Sequence, residues 1–154
     1  MKEIELTRGK VALVDDENFE YLNQWKWMAR ESGNNYYAVR GVRKNRKLQN
    51  IAMHRIIMNT SNELQVDHID HNGLNNQKSN LRNCTEIQNL RNRIPYGRSK
   101  YLGVSMEKLH FRARISINNK RVHLGSFQNE IDAAIAYDTK AKELYKEYAN
   151  LNFK

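Results

Sequence analysis

The chain contains a single cysteine and a single proline among its 154 residues. With Cys84 alone, no disulfide can close within the chain and no four-thiolate zinc site can assemble, which fits a reducing compartment. Nowhere do about eighteen apolar residues follow one another, and Met1-Lys2-Glu3-Ile4-Glu5 has no apolar run behind its charges. Membrane insertion and export are therefore not expected, and a cytoplasmic location is. Acidic residues are in the minority, 17 against 26 lysines and arginines, and the formal charge of +9 favours a polyanionic partner, nucleic acid being the commonest. A ribosomal or otherwise merely basic protein satisfies the same count. The length suits one ordinary domain or two or three small modules with thin cores.

The first fifty-odd residues read as strand, strand, short helix and two further strands. Ile4 and Leu6 alternate with charge, and Val11 to Val14 is a β-prone run. Asp15-Asp16-Glu17 opens a helix for Phe19 to Trp25, and Tyr36 to Arg43 and Leu48 to Met53 flank a turn at Lys44-Asn45-Arg46-Lys47. From Asn59 to Arg93 apolar positions become scarce and asparagine recurs, so hydrogen-bond networks or a bound ion must order this stretch. Strands are expected through Leu64 to His68 and near Leu81 to Cys84. Thr85-Glu86-Ile87-Gln88 has the form of a capping box and marks a helix start. Ile94-Pro95-Tyr96-Gly97 is the candidate linker. Beyond it, Phe111, Ala113, Ile115 and Ile117 alternate with Arg112, Arg114 and Ser116, and Val122 and Leu124 with Arg121 and His123, around a turn at Asn118-Asn119. This predicts three strands from Tyr101 to Phe127 with one apolar and one basic face. A helix from Glu130 to Tyr148, with the stripe Ile131, Ala134, Ile135, Tyr137, Ala141, Leu144 and Tyr148, would cover the apolar side.

The segment from Val66 to Arg82 carries the chemistry. Asp67 and His68 stand side by side at a strand end, where neighbouring side chains point to opposite sides unless the chain bends. The helix opening at Thr85 presents Asn89 one turn in. A carboxylate and an amide oxygen suit one hard divalent ion, Mg2+ or Mn2+. Such an ion would neutralise a phosphate while a neutral His68 deprotonates water, histidine being the side chain whose ordinary pKa lies near neutrality. Asn80 would accept the proton on the far nitrogen of His68 or hold the loop.

Met53-His54-Arg55, Asp67-His68-Ile69-Asp70, Asn72, Leu74-Asn75-Asn76, Asn80-Leu81-Arg82, Thr85, Gln88-Asn89 and Asn92-Arg93 together resemble the HNH homing endonucleases of phage genomes and group I introns. The resemblance implies a ββα-metal (His-Me) finger. It assigns Asp67 and Asn89 to a single divalent ion, His68 to the general base and Asn80 to the middle asparagine that supports it. Asn89 stands where the family name has its last histidine, and His54 and His71 are expected to be structural or DNA-contacting. Tyr101-Leu102-Gly103-Val104, Phe111 to Ile115, Leu124-Gly125-Ser126-Phe127, Ala133-Ala134, Ala136-Tyr137-Asp138 and Leu151-Asn152-Phe153 resemble the ethylene-response-factor (Apetala-type) DNA-binding domain. That resemblance implies a three-stranded sheet lying in the major groove and backed by a helix. Arg112, Arg114, Arg121 and His123 are then the leading DNA contacts, with Ser105, Lys108 and Lys120 at the periphery. The plant domains carry tryptophan where this chain has Leu109 or His110 and His123, so their base preference does not transfer.

The N-terminal part resembles, more weakly, the leader of the same phage endonucleases. It either holds DNA through Arg40, Arg43 and Arg46 or completes the nuclease core, with Trp25, Trp27 and Tyr37 as core residues. The expected fold class is α+β in three modules: a β-rich module over 1–55, a ββα-metal nuclease over 56–95, and an antiparallel three-stranded sheet with one helix over 96–154. The expected function is a site-specific, double-stranded-DNA endonuclease that nicks one strand as a monomer, in the cytoplasm of a bacterial or phage-infected cell. The rival readings are a DNA-binding regulator whose finger is inactive, a basic RNA-binding protein, and a zinc-dependent relative.

Overall fold

The computed structural model describes residues 1–44, 46–92, 95, 99–117 and 120–153. The turn residue Asn45, the linker residues Ile94, Tyr96 and Gly97, the hairpin pair Asn118-Asn119 and the motif residue Arg93 lie outside the described residues. Two compact units are present, Met1–Asn89 and Leu90–Lys154.

In the first unit, β1 (Lys2–Glu5) and β2 (Val11–Val14) form an antiparallel hairpin with Ile4 opposite Ala12. Alternation turns Ile4, Ala12 and Val14 inward and leaves Glu3 and Glu5 in water. Helix α1 (Asp16–Leu22) follows, and its N-terminal residue Asp15 spends its carboxylate elsewhere, as described below. Strands β3 (Met28–Ser32), β4 (Asn35–Lys44) and β5 (Lys47–Ala52) make an antiparallel meander, β3 being an element the sequence reading did not anticipate. A one-turn helix α2 (Met53–Ile57), also unanticipated, buries Met53 and Ile57. Strands β6 (Gln65–His68) and β7 (Leu81–Cys84) pair antiparallel, with Asp67 opposite Arg82 and His68 opposite Leu81.

Helix α3 (Glu86–Asn89) starts at the expected capping box. Thr85 N–H donates to Gln88 Oε1 at 2.8 Å, and Gln88 N–H donates to Thr85 Oγ1 at 3.2 Å.

One core serves this whole unit. Ile4, Leu6, Ala12, Val14, Leu22, Trp27, Ala29 and Ala38 share it with Met53, Ile57 and Leu81, so the expected division between 55 and 56 is not a division in packing. The physical reason is the poverty of residues 59–92 in apolar side chains, which leaves them too little to bury by themselves. Trp27 is core as expected, 2% exposed, with its indole N–H donating to Leu22 O.

In the second unit, β8 (Val104–Glu107), β9 (His110–Ile117) and β10 (Lys120–Phe127) form an antiparallel sheet in the order β10-β9-β8. The expected alternation holds: Ala113 and Ile115 are buried, while Arg112 and Arg114 lie on the other face. Helix α4 (Glu130–Tyr145), capped by Asn129 accepting from Asp132 N–H, packs on the apolar face.

The helix ends at Tyr145, before the expected Tyr148, and buries Ala133, Ala134, Tyr137 and Ala141. Ile131 and Ile135, expected in its buried stripe, are 53% and 50% exposed. Each residue turns by about 100°, so a contact line through 133, 134, 137 and 141 leaves 131 and 135 on the outer side. Small alanines let the helix approach closely, and Gly103 makes room for Tyr137. The tail is tied by Asn152, which accepts from Leu102 N–H and donates to Asp138 Oδ1.

A Cβ on Gly103 would sit 1.9 Å from the Tyr137 ring, and φ there is +72°. Gly103→Ala is therefore expected to cost about 2 kcal/mol or more in urea unfolding, through overpacking and a left-handed backbone. A loss below about 0.5 kcal/mol, the size of an ordinary surface change, would contradict this packing.

Candidate functional site

The loop between β6 and β7 is held by hydrogen bonds in place of apolar packing. Asp70 is its hub: Oδ1 accepts from Asn72 N–H and Asn80 Nδ2, Oδ2 accepts from Asn75 Nδ2, and Asp70 N–H donates to Asn80 Oδ1. Burial works against the ionised Asp70, but these bonds from Asn75, Asn72 and Asn80 outweigh it and hold its carboxyl below the usual range.

The loop is also stitched to the N-terminal strands. Leu13 N–H donates to Leu74 O and Asn76 N–H to Leu13 O, both at 2.8 Å. The Asp15 carboxylate accepts from Lys78 N–H and Gln77 Nε2, and Asn35 bonds His71 O and Gly73 N–H. A Cβ on Gly73 would lie 2.5 Å from Tyr36 O and 2.6 Å from the Tyr37 ring, so only glycine lets the loop close over Tyr37.

His68 ends β6 and is 6% exposed. Its ring stands perpendicular to His54 with centroids 5.0 Å apart, and Tyr37 meets both rings at 5.8 and 5.9 Å. Its Nε2 lies 3.3 Å from Oδ1 of Asn76, which is fully buried. Burial holds the His68 imidazole below its ordinary pKa, against the opposing pull of Asn76, Asp70 and Asp67. His54 is pushed down to about 3, first by burial, then by His68 and Arg55, and its Nδ1 is buried with no hydrogen-bond partner among the described residues.

Asp67 and His68 are successive residues at the end of β6 and have different partners, Arg82 for the first and Asn76 for the second. Asp67, 5% exposed, takes Nε and a terminal nitrogen of Arg82 at 2.8 and 2.7 Å. Gln65 lies two residues back on the Asp67 side, and Asn89 Nδ2 donates to Gln65 Oε1 at 2.7 Å. Helix α3 thus brings Asn89 to the strand that carries Asp67, and the bond uses the nitrogen of the Asn89 amide, not its oxygen. Cys84 is buried and bonds Gln65 O through sulfur at 3.8 Å. Among the described residues no group of three or more His, Cys, Asp or Glu side chains gathers where a metal could sit.

Of the two expected roles of Asn80, the side chain takes the second: it holds the loop by donating to Asp70 and to Asn75 O. The asparagine beside the imidazole is Asn76, which the sequence reading did not single out. No composition signal separates it from its neighbours in an asparagine-rich loop; its distinction is complete burial. His71 sits in the left-handed region at φ +64° and shapes the turn, its N–H donating to His68 O.

The remaining candidates are dispersed. The Arg40 guanidinium stacks over Trp25 at 3.8 Å, whereas Arg43 and Arg46 are exposed. Arg40 and Arg43, three apart on one strand, face opposite sides of the sheet. In the second unit, Arg114 lies opposite His123, Ser116 opposite Arg121, and Arg112 opposite Ser105, which places these side chains on one face. Lys108 and Lys120 are exposed at strand ends. Glu107 bridges the basic face, with Oε2 on Arg112 at 2.7 Å and Oε1 on Arg114.

No family model matches the chain. Over 151 residues, 94% of its length, it is 30% identical to a protein of Acanthamoeba polyphaga mimivirus described as an uncharacterized HNH endonuclease, 76% of which is covered. The chain belongs to the HNH endonuclease family. No helix among the described residues is long and apolar enough to cross a membrane.

Because folding holds His54 neutral from its ordinary 6.5 down to about 3, the unfolded chain binds the extra proton within that window, and stability falls as pH is lowered through it. His54 is expected to make the protein about 2 kcal/mol less stable at pH 5 than at pH 7. Urea unfolding at both pH values should show His54→Phe losing most of that difference; a variant as acid-sensitive as the parent overturns the assignment.

Proposed function

We propose that the protein is a site-specific DNA endonuclease of the HNH homing type, whose β6, β7 and α3 form a ββα-metal finger. The observation that carries this reading is a buried His68, its imidazole held below the ordinary pKa by burial, next in β6 to Asp67 on the strand that Asn89 reaches through Gln65. The donor chemistry fits one divalent ion, magnesium or manganese: a carboxylate and an amide oxygen, with no thiolate or imidazole among them. Asp67 and Asn89 would hold it, the Asn89 amide being bonded to that of Gln65. When bound, such an ion supplies charge neutralisation at the phosphate and stabilises the departing 3′ oxygen.

The chain's own residues do the rest. His68, kept neutral by burial, takes a proton from the attacking water. Asn80 and Asp70 keep the loop from relaxing away from it. Arg82 fixes the rotamer of Asp67 through two hydrogen bonds. The products are a 5′ phosphate and a 3′ hydroxyl, and a monomer with one site nicks one strand.

The second unit, an Apetala-type reader in this proposal, lies on duplex DNA through Arg112, Arg114, Arg121 and His123, with Ser105, Lys108 and Lys120 at the margin. Arg43 and Arg46 hold DNA near the cut, and Arg40, stacked on Trp25, contributes least. The setting is the cytoplasm of a bacterial or phage-infected cell.

One observation favours a second reading, a DNA-binding protein with an inactive finger: Asp67 already faces Arg82, and Asn89 already faces Gln65. Plasmid nicking separates the two. Under the first, nicking requires Mg2+ or Mn2+, stops with EDTA, and falls roughly 100-fold or more in His68→Ala, the usual share of a general base. Full activity in His68→Ala removes the catalytic assignment, and absence of any nicking favours the second.

Glu107 holds two arginines that duplex DNA would otherwise engage. Glu107→Gln is expected to tighten duplex binding and to steepen the dependence of log K on log salt by about one to two. An unchanged slope would remove Arg112 and Arg114 from the DNA contacts.

A further inference from the structure

We propose that Asn76 is the positioning residue of the site, fixing the imidazole proton of His68 on Nε2 and so making Nδ1 the nitrogen that takes a proton from water; the catalytic half of this rests on the nuclease reading above.

The hydrogen-bond geometry carries the argument. Asn76 Nδ2 donates to Leu74 O at 3.2 Å, so the amide atom turned to His68 is Oδ1. An amide oxygen only accepts, and Nε2 must therefore bear the hydrogen. The opposite amide orientation would set Oδ1 against the Leu74 carbonyl, two acceptors face to face at a fully buried side chain. Asn76 is itself anchored from outside the finger, its backbone N–H donating to Leu13 O at 2.8 Å. The perpendicular His54 ring and the Tyr37 ring pack against the imidazole and hold its plane.

A neutral imidazole has one basic nitrogen, and a ring free to exchange tautomers offers the wrong one part of the time. In the reaction the water proton passes to Nδ1, giving an imidazolium whose Nε2–H still donates to Asn76. The water oxygen bonds to phosphorus as the bond to the 3′ oxygen breaks, that oxygen is protonated from solvent, and the imidazolium returns its proton to solvent.

The test uses the full chain labelled with 15N, with the His68 ring signals assigned by their loss in His68→Ala. Long-range 1H–15N correlation at neutral pH is expected to show the Nε2–H tautomer. Asn76→Asp, which can only accept at that position, keeps it, and Asn76→Leu loses the preference. In plasmid nicking, Asn76→Leu is expected to lower kcat by roughly 100-fold with KM within about twofold, because the defect lies in proton transfer and not in binding. A dominant Nδ1–H tautomer in the unmodified protein overturns the proposal, as does an Asn76→Leu chain with unchanged tautomer and kcat. Since the spectrum is read without cleavage, a protein that never nicks DNA defeats the nuclease reading while the tautomer assignment is judged separately. If Asn76→Leu does not fold, the spectra of the unmodified protein and of Asn76→Asp decide the tautomer alone.

Discussion

Hydrogen bonding must do for residues 69–80 what burial does for the rest of the first unit. Few of these residues have an apolar side chain to bury, and a loop of that length is costly to order. Asp70, itself exposed, gathers Asn72, Asn75 and Asn80 around one carboxylate, while Asn76 and Asn80 of the same loop are buried. The inner side of the loop, with His68 and Asn76, is covered through the bonds of Leu13 in β2 and the ring of Tyr37 in β4. Placing a histidine in this setting has a direct electrostatic consequence, since burial disfavours its charged form.

The N-terminal strands are thus part of the site through the hydrogen bonds they make to its loop. Leu13 bonds both Leu74 and Asn76 through its backbone, and Asp15 gives up capping its own helix to hold Gln77 and Lys78. Asn35, at the start of β4, bonds the earlier part of the same loop at His71 and Gly73. A leader read from the sequence as either DNA clamp or core support is, in its packing, core support. The two roles are separable only at the exposed end of its meander, where Arg43 and Arg46 lie.

The second unit solves a different problem. Its sheet is apolar on one side and cationic on the other, and the cationic side is a liability unless a partner or an internal acid offsets it. Glu107 supplies the internal acid, bridging Arg112 and Arg114. The apolar side is covered by a helix that meets it through alanines and one tyrosine, an approach close enough to demand glycine at 103. The tail returns to the sheet through Asn152, a polar bond beside the apolar packing of Leu151 and the contact of the Phe153 ring with Tyr101.

Local pattern carried much of this. The alternation of arginine with Ala113 and Ile115 gave the two faces of β9, and Thr85 to Gln88 located the start of α3 by a reciprocal bond between residues three apart. Leu81 to Cys84 was legible as a strand. Each of these depends on interactions within a few residues, which a linear pattern records.

The tertiary structure alone decided that Asn76, held by Leu13, and not Asn80 stands against His68, that His54 packs beside it, and that one core spans 1–89. The outward turn of Ile131 and Ile135 belongs with these, because packing and not hydrophobicity chose which stripe of α4 met the sheet. An asparagine's role is set by what surrounds its two amide atoms, and that surrounding comes into being only when β2 closes over the loop.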